Sequence, residues 1–414
     1  MNTQPHIVVI GAGILGASIA FHLTLRGAQV TMVDAGNPGQ KATRLSFAWM
    51  NAFGKNPYHY FDLNRRSMDM WDRFVRRLEQ HQPLQHESLQ SQPDVSNLSI
   101  DVTWGGELHW AVTEAEAAQI RERTRLIQSW GYSAQLLDAA AVKRLEPSLV
   151  LDGMLTAVYA DNEGHVHTGD VVRACLNAVE ARGAELCMQT PVTGFEMHTG
   201  SADSQKPLIE TVLVAGQEIT CDMVVIAGGM DTPELAEMAG IHLPLYHTFG
   251  ATILTEPLPP LFESIALYHS PRIPRPGDPS FSINIRQFSD GVVMVQGSSS
   301  NDGHGDPGAT DDEVAQMMTD AAHYIPKLSE AKVQTVQRGR RPIPQDDLPI
   351  IGFAEGNLGD SNRVSNLYVA TTHSGVTLAP LIGEFAALEM MEDVRIDLLQ
   401  PYRLSRFTHE RSGT

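Results

Sequence analysis

The first 34 residues hold the pattern that most restricts what this chain can fold into. A run rich in β-branched residues, His6–Ile10, is followed by the glycine loop GAGILG at residues 11–16 and then by apolar residues at helical spacing. Gln29–Val33 has the composition of a second buried strand, and the residue after it is Asp34. A strand, a glycine loop, a helix and a second strand that ends in an acidic residue are typical of the βαβ unit that binds a dinucleotide. The chain is therefore predicted to begin with a nucleotide-binding domain built on a parallel sheet.

Each residue of this motif has its own physical task. Gly11 permits the tight turn, Gly13 lets the backbone approach a pyrophosphate, and Gly16 lets the helix pack closely on the strand. The helix N-terminus favours the phosphates through its free N–H groups and its dipole, and Asp34 is placed to accept hydrogen bonds from the adenosine ribose. FAD and NAD share this ADP half, so the motif leaves both open, whereas Asp34 would repel the 2′-phosphate of NADP. We assign to the cofactor Gly11, Gly13, Ile14, Leu15, Gly16, Asp34 and Ala35.

Composition narrows the classes of partner. With 414 residues the chain exceeds the usual size of one domain, so two domains are expected. The formal charge is −19, and a surface that acidic repels nucleic-acid phosphates and anionic lipids, so no nucleic-acid partner is expected. The three cysteines are scattered and the histidines form no metal-binding motif, which predicts free thiols and no metal. The sequence has neither a secretory signal nor an apolar run near the roughly 20 residues of a membrane span, so a cytoplasmic protein without a span is expected.

The rest of the chain is predicted to alternate between helices and strands. A helix is expected over Tyr58–Glu79, and Asp222–Ala227 is expected to be a second buried strand that runs into Gly228 and Gly229. Further helices are predicted at 114–130, with Thr113 as the cap, and at 169–182 and 376–391. Further strands are predicted at 107–112, 185–188, 208–214, 245–254 and 367–370, with strand-rich sequence at 280–296, and loops are predicted at 82–97 and 297–310.

This order of elements predicts an α/β fold. A Rossmann-like nucleotide-binding domain is assembled from discontinuous segments, and an α+β substrate domain with a mixed or antiparallel sheet is inserted between them. The nucleotide-binding domain is expected to comprise residues 1–57, 147–237 and 337–414. The substrate-binding domain is expected to comprise residues 58–146 and 238–336.

Several segments, taken in order, resemble one family. They are the glycine loop with Asp34, the segments 42–46, 164–167 and 225–229, the segment RRPIPQDDLPIIG at 340–352, and the segments 367–380 and 401–407. Together they resemble the D-amino-acid oxidase-like family of FAD-dependent oxidoreductases, which includes glycine oxidase, sarcosine oxidase and D-amino acid dehydrogenase. The resemblance runs nearly from end to end of the chain.

The resemblance implies FAD as the cofactor and oxidation of a C–N bond as the reaction. An amine or amino acid passes a hydride from its α-carbon to N5 of the flavin, and the resulting imine hydrolyses. The loop before the last helix, with Gly375, would place that helix N-terminus where negative charge develops near N1 and O2 of the flavin. The resemblance assigns these further residues to the cofactor: Arg44, Ser46, Val192, Ala227, Gly228, Gly229, Thr372, His373, Ser374, Gly375, Val376 and Thr377.

Arg341 is the residue expected to bind the substrate. The resemblance places an arginine of an Arg-Pro element against the substrate carboxylate, and a planar guanidinium suits a bidentate contact. Arg338 and Arg340 compete for this role, and a structural salt bridge is the alternative. His373 is a candidate for contact with the flavin or the electron acceptor, with a hydrogen bond that orders its loop as the alternative. Five further candidates for the pocket are Arg286, Tyr246, Tyr268, Trp49 and Asn51, although aromatic residues are more often core and Arg286 has a solvent-facing position as its alternative.

Two departures from the family bear on the chemistry. Sarcosine oxidase attaches its flavin through a cysteine, where this chain has Gly339-Arg340-Arg341, so noncovalent FAD is expected. The same relative has a lysine over the flavin that assists reaction with oxygen, and residues 291–297 contain none. The electron acceptor therefore stays open between O2 and a quinone or carrier protein. A flavin-binding subunit of a hetero-oligomeric amine dehydrogenase and an NAD-dependent dehydrogenase are the alternative functions.

Overall fold

The structure is a computed structural model that describes residues 4–82, 99–199, 207–271, 273, 283–298, 310–354 and 364–407. The strands are β1 His6–Ile10, β2 Gln29–Val33, β3 Trp49–Met50, β4 Val102–Trp104, β5 Glu107–Ala111, β6 Gln135–Leu137, β7 Thr156–Ala160, β8 Gly164–Val166, β9 Glu185–Cys187, β10 Val192–Thr199, β11 Pro207–Val214, β12 Gln217–Thr220, β13 Met223–Ile226, β14 Leu245–Thr255, β15 Leu267–Ser270, β16 Ile283–Gln287, β17 Val293–Ser298, β18 Val333–Pro344, β19 Ile350–Phe353 and β20 Leu367–Thr371. The α-helices are α1 Ile14–Leu25, α2 Ala42–Leu45, α3 Tyr58–Met68, α4 Trp71–Gln80, α5 Glu114–Ser129, α6 Ala139–Leu145, α7 Thr168–Glu180, α8 Thr232–Glu237, α9 Asp311–Tyr324 and α10 Gly375–Met391. Short 3₁₀ helices cover Gly229–Asp231, Pro326–Glu330 and Asp397–Tyr402.

A six-stranded sheet carries the N-terminal motif. Its order is β19-β20-β13-β1-β2-β9, with parallel pairing throughout except for the edge strand β19. Ile7 and Val9 of β1 share a core with α1, α7 and α10, whereas Val8 and Ile10 pack with β11 on the other face. Because both faces are covered, β1 is apolar at every position after His6, as buried parallel strands are.

An eight-stranded sheet forms the second large unit. Its order is β18-β14-β17-β16-β15-β5-β7-β6, and its pairs are antiparallel except β15 with β5. One face of this sheet, including Tyr268, Ile285 and Val295, packs with α9 in a common core. The predicted α/β fold, with a parallel sheet for the nucleotide and a mostly antiparallel sheet beside it, is confirmed.

The predicted domain bounds stay a prediction. Two strands that they place in the nucleotide-binding domain, β7 and most of β18, hydrogen-bond within the eight-stranded sheet. The small β3-β8-β4 sheet also joins segments from both predicted domains. Strand pairing therefore crosses the chain positions chosen as boundaries.

The predicted helix over Tyr58–Glu79 is wrong as one continuous element. The structure has α3 and α4, separated at Asp69 and Met70. Ser67 and Trp71, on either side of the break, both donate hydrogen bonds to the Thr377 carbonyl, at 2.7 and 3.2 Å. No proline or glycine marks the break, so the apolar periodicity alone could not reveal it.

Other predicted elements agree closely with the structure. Thr113 caps α5 in a capping box with Glu116, as the sequence indicated. The loops predicted at 82–97 and 297–310 lie almost wholly outside the described residues. Within the described part of the chain, no helix has both the length and the apolar character needed to cross a membrane, and no cluster of potential metal ligands is found.

Candidate active site

One cavity of about 850 Å³ is lined by residues of both large sheets. The glycine loop, the residues after β13 and the start of α10 line it from the six-stranded sheet. From the eight-stranded sheet come His269, Asn284, Gln296, Gly250 and Arg341. The first four alternate along β15, β16, β17 and β14 with core residues that face α9. The cavity therefore lies on the face of this sheet opposite to its own core.

Backbone geometry explains two of the three motif glycines. Gly11 has a φ of +108°, and a Cβ on it would lie 2.4 Å from the carbonyl oxygen of Ala227. A Cβ on Gly16 would lie 1.9 Å from the carbonyl oxygen of Gly11. The tight turn and the close packing of α1 against it thus require residues without a side chain.

Asp34 holds the loop that it faces. Its two carboxylate oxygens accept hydrogen bonds from the amides of Ala12 at 2.7 Å and Gly36 at 2.8 Å. The N-cap of α1, Gly13, contributes no side-chain cap, and the Ile14 amide donates to Oγ1 of Thr43 at 3.1 Å. The helix α1 has 12 residues, its N-terminus lines the cavity, and its own N-cap residue does not cap it. Such an N-terminus suits the pyrophosphate of a dinucleotide.

A second helix N-terminus lines the same cavity. The N-cap residue of α10, Ser374, contributes no side-chain cap, and its Oγ accepts a hydrogen bond from the Tyr60 hydroxyl at 2.7 Å. Thr377 in the first turn donates through Oγ1 to the Trp49 carbonyl at 2.9 Å. These contacts fix the loop before α10, so the positive end of its dipole points to a defined place in the cavity.

The residues present fit FAD. The cavity offers a phosphate site at α1, an acidic residue beside it, and a second positive helix end where a reduced flavin would carry negative charge. An elongated dinucleotide with a redox ring could contact both helix N-termini at once. When bound, the flavin supplies a site that accepts a hydride.

Most residues predicted to contact the cofactor line this cavity. They are Gly11, Gly13, Ile14, Leu15, Asp34, Ala35, Ser46, Val192, Ala227, Gly228, Gly229, Thr372, His373, Ser374, Gly375, Val376 and Thr377. Gly16 lies behind the loop, against Gly11, and Arg44 is exposed and outside the described lining.

Arg341 stands out among the three competing arginines. Its guanidinium lies where a Cβ of Gly250 would be, 2.2 Å from Nη2, so the glycine makes room for it. It is half-buried, desolvation lowers its pKa, and it makes no hydrogen bond or ion pair with any residue in the described ranges. Arg338 and Arg340 also line the cavity, but both are exposed: Arg338 contacts Asp311 at 3.3 Å, and Arg340 lies over the ring of Phe249. The structural salt bridge considered for Arg341 is therefore absent from the described part of the chain.

The structure separates the five other candidates for the substrate pocket. Trp49 and Asn51 line the cavity. Tyr268 is buried on the opposite face of the sheet, stacked on Phe262 at 4.0 Å between ring centroids. Tyr246 is exposed and donates to Asp347 at 2.6 Å. Neither tyrosine is part of the described lining.

Arg286 is not solvent-facing, because the structure buries it to 1% exposure. Its Nη1 donates to Nδ1 of His165 at 2.9 Å, and its guanidinium lies 4.1 Å from the ring centroid of Phe288. Desolvation lowers its pKa to about 9. These contacts support the β8 region from outside the described lining of the cavity.

His373 and Lys55 are two titratable groups of the cavity lining that act on each other electrostatically. Burial, followed by the positive charges of Lys55 and Arg341, lowers the pKa of His373 to about 3, so its ring is neutral at physiological pH. Sequence reasoning missed Lys55, together with Asn284 and Gln296, whereas His269, a weaker candidate than His373 by sequence, lines the cavity. The family resemblance placed the position expected for a lysine at residues 291–297, whereas Lys55 follows Trp49 and Asn51 on a segment of the N-terminal part of the chain. Lys55 is the one charged residue in the run AFGKNP at residues 52–57, and this isolated charge could have indicated a functional role.

Fold and site together define a dinucleotide-binding flavoprotein. Residues 6–388 match the family model DAO, described as FAD dependent oxidoreductase, and the chain therefore belongs to this family. It is 24% identical to the glycine oxidase of Geobacillus kaustophilus over 98% of each chain, and 24% identical to one of the subunits of the opine oxidase of Agrobacterium tumefaciens over 94% of each chain. The crystal structure of L-proline dehydrogenase from P. horikoshii shares the fold, with a TM-score of 0.78 at 19% identity over 98% of both chains. Membership in the family decides between FAD and NAD in favour of FAD.

Proposed function

We propose that this protein oxidises the C–N bond of an amino acid or an N-substituted amino acid. The observation that carries the proposal is the guanidinium of Arg341, which faces the cavity without a partner among the described residues. A half-buried cation of this kind suits a substrate carboxylate, which would accept two charge-assisted hydrogen bonds. The names of the relatives, a glycine oxidase and an opine oxidase, agree with an amino-acid substrate.

The residues of the chain orient the substrate and keep its amine reactive. Arg341 would fix the carboxylate and thereby orient the α-carbon, and bound FAD would supply the acceptor for the hydride that leaves it with both bonding electrons. The neutral ring of His373 can accept a hydrogen bond from the substrate N–H without adding charge. Water then adds to the imine, and the products are a carbonyl compound and an amine. Trp49 and Asn51 complete the described wall beside the segment of Lys55.

Anaerobic mixing with a panel of amino acids, N-alkyl amino acids and simple amines tests this function. Flavin absorbance should bleach with at least one carboxylate-bearing amine and regain its colour in air or with a quinone. If no amine in the panel bleaches the flavin while dithionite does, the proposal is wrong. Repeating the reaction in air and measuring peroxide separates an oxidase from a dehydrogenase.

We further propose that the FAD is held noncovalently. None of the three cysteines is part of the described lining of the cavity, and Cys175 is buried with a raised pKa because of desolvation. Acid precipitation should release all of the yellow flavin into the supernatant. Yellow colour that stays with the precipitated protein would contradict this.

A second candidate is the flavin-binding subunit of a hetero-oligomeric dehydrogenase. The similarity to one component of an opine oxidase that has several subunits favours keeping it. It predicts that the purified chain carries FAD but is not bleached by any amine until a partner protein is added. Bleaching of the isolated chain by an amino acid would exclude it.

A further inference from the structure

Besides Arg341, Lys55 is a half-buried cation in the lining of the cavity, whereas Lys41, Arg338 and Arg340 are exposed. Nζ of Lys55 lies 5.8 Å from the ring centroid of Tyr60. In the described ranges Nζ makes neither a hydrogen bond nor an ion pair. The three carboxylates that line the cavity do not pair with it: Asp34 accepts backbone amides, Asp231 pairs with Lys41, and Glu234 has no ion pair with Lys55 or Arg341.

Hydrogen bonds with Glu163 and Arg123 fix the backbone of the segment that carries Lys55. Oε1 of Glu163 accepts hydrogen bonds from the amides of Ala52 at 3.0 Å and Phe53 at 2.8 Å. Arg123 donates to the carbonyls of Phe53 and Lys55. The position of Lys55 is therefore preorganised, which lowers the entropic cost of using it in binding.

Two buried carboxylates, Glu163 and Glu107, act on Lys55, and their charges raise its pKa without a described ion pair to Nζ. Oε1 of Glu163 also accepts from the Tyr132 hydroxyl at 2.7 Å, and burial raises the pKa of Glu163 to about 7 and that of Glu107 well above its ordinary value. Burial lowers the pKa of Lys55 to about 8, which leaves it mostly protonated at neutral pH. Glu163 thus supports the loop rather than forming an ion pair with the lysine.

Lys55 and Arg341 both act electrostatically on the side chain of His373. The positive charge of each one lowers the pKa of His373, which projects into the cavity from the loop before α10. Two cations near one imidazole repel each other, and their partial desolvation is unfavourable unless an anion compensates each charge. Glu163 and Glu107 offset part of the charge of Lys55, but neither forms a described ion pair with it, and one substrate carboxylate would pair with only one of the two cations.

We propose that the substrate is a dicarboxylic secondary amine, an N-(carboxyalkyl) amino acid, with one carboxylate on Arg341 and the other on Lys55. The proposal rests on the C–N oxidation proposed above. Oxidation removes a hydride and a proton from the H–C–N–H unit between the two carboxylates, and water splits the imine. Bound FAD would be the acceptor of the two electrons, and the products would be a 2-oxo acid and an amino acid.

A matched pair of unreactive ligands tests the two-cation site in the holoenzyme. Glutarate has the length of the smallest imino diacid, with a methylene in place of the amine, and butyrate lacks one carboxylate. Titration followed by the flavin spectrum should show glutarate binding about tenfold to a hundredfold more tightly than butyrate, since a charge-assisted contact has that strength. In Lys55→Met the two affinities should become nearly equal, whereas Lys55→Arg should keep most of the preference. The exposed Lys332→Met variant, outside the described lining, is the control.

A second test of the two-cation site measures turnover of two substrates. Iminodiacetate and sarcosine differ only by one carboxylate, and the ratio of their kcat/KM values should fall at least tenfold in Lys55→Met, with sarcosine little affected. Equal loss on both substrates, with a changed pH profile, would make Lys55 a proton acceptor and overturn the proposal. Equal binding of glutarate and butyrate by the unmodified protein would also overturn it. Failure of every amine to bleach the flavin would instead refute the C–N oxidation, because the ligand titration is independent of turnover.

Discussion

The two ends of the cavity are built by different means. At the α1 end, the backbone shapes the site: Gly11 and Gly16 leave no room for a side chain, and Asp34 accepts amide hydrogen bonds. At the other end, long side chains from separate elements meet, with Arg341 on β18 and Lys55 on the segment before α3. The α1 end suits a cofactor that is the same in every member of the family. At the other end, substitution of single side chains can change which substrate binds.

The largest effect is expected at the α1 end. In Gly16→Ala, the added Cβ would lie 1.9 Å from a backbone oxygen, so α1 must move and the phosphate site with it. Such overpacking costs about 1–3 kcal/mol or more. We expect most of the FAD to be lost on purification, measured as the ratio of flavin to protein absorbance.

Gly194→Ala is the control for that substitution. Its Cβ would lie 3.5 Å from Leu213, an ordinary contact, and flavin content should be unchanged. Full flavin occupancy in Gly16→Ala would show that the backbone at this end is not constrained in the way described.

A glycine at the other end should behave differently. In Gly250→Ala the Cβ meets the end of a flexible side chain, the guanidinium of Arg341, which can swing aside. We expect flavin content and the melting temperature to stay the same, while kcat/KM for the amino-acid substrate falls about tenfold because one charge-assisted contact is weakened. Loss of FAD with retained kcat/KM would reverse the comparison.

The pH dependence of binding should differ between the two carboxylate subsites. Lys55 binds an anion only when protonated, so glutarate affinity should be full at pH values well below the pKa of about 8 and fall as pH rises through it. The groups that act on Lys55 and its neighbour His373 are Glu163, Glu107, Arg123 and Arg341. Butyrate affinity should stay nearly flat from pH 7 to 9, and the glutarate slope should vanish in Lys55→Met. A slope that persists in that variant would assign the titration to another group.

The smallest effect is expected from Tyr60→Phe. This change removes the buried hydrogen bond to Ser374 at 2.7 Å and leaves the rest of the ring in place. A loss of about 0.5–1.5 kcal/mol in the free energy of unfolding is expected, seen as a small fall in melting temperature. A fall in kcat of a hundredfold or more would instead show that Tyr60 contacts the reacting groups.

The sequence predicted the α1 end well because its constraints are local. A positive φ, a helix N-terminus and the end of a strand are features of a few consecutive residues, and the spacing of Gly11, Gly16 and Asp34 encodes them. The alternation of parallel strands and helices likewise predicted the fold class. The break between α3 and α4 was missed because it coincides with contacts to Thr377, a residue more than 300 positions away.

The substrate end depended on strand register, which the sequence does not reveal. Tyr268 was the candidate, but its neighbour His269 faces the cavity, paired with Asn284 on the next strand. A shift of one residue exchanges the two faces of a strand. In the same way, all three arginines of β18 line the cavity, and only the structure shows that Arg341 is half-buried whereas Arg338 and Arg340 are exposed.

Arg341→Ala offers the most direct test of the central claim, that this cavity recognises the carboxylate of an amine. The measurement compares kcat/KM for the best amino-acid substrate with kcat/KM for the corresponding decarboxylated amine, with Arg66→Ala, an exposed arginine outside the described lining, as the control. Loss of one partner of a charged, hydrogen-bonded pair costs about 2–5 kcal/mol, so the amino acid should lose about 30-fold to several thousandfold and the amine little. Equal loss on both substrates would contradict carboxylate recognition by Arg341.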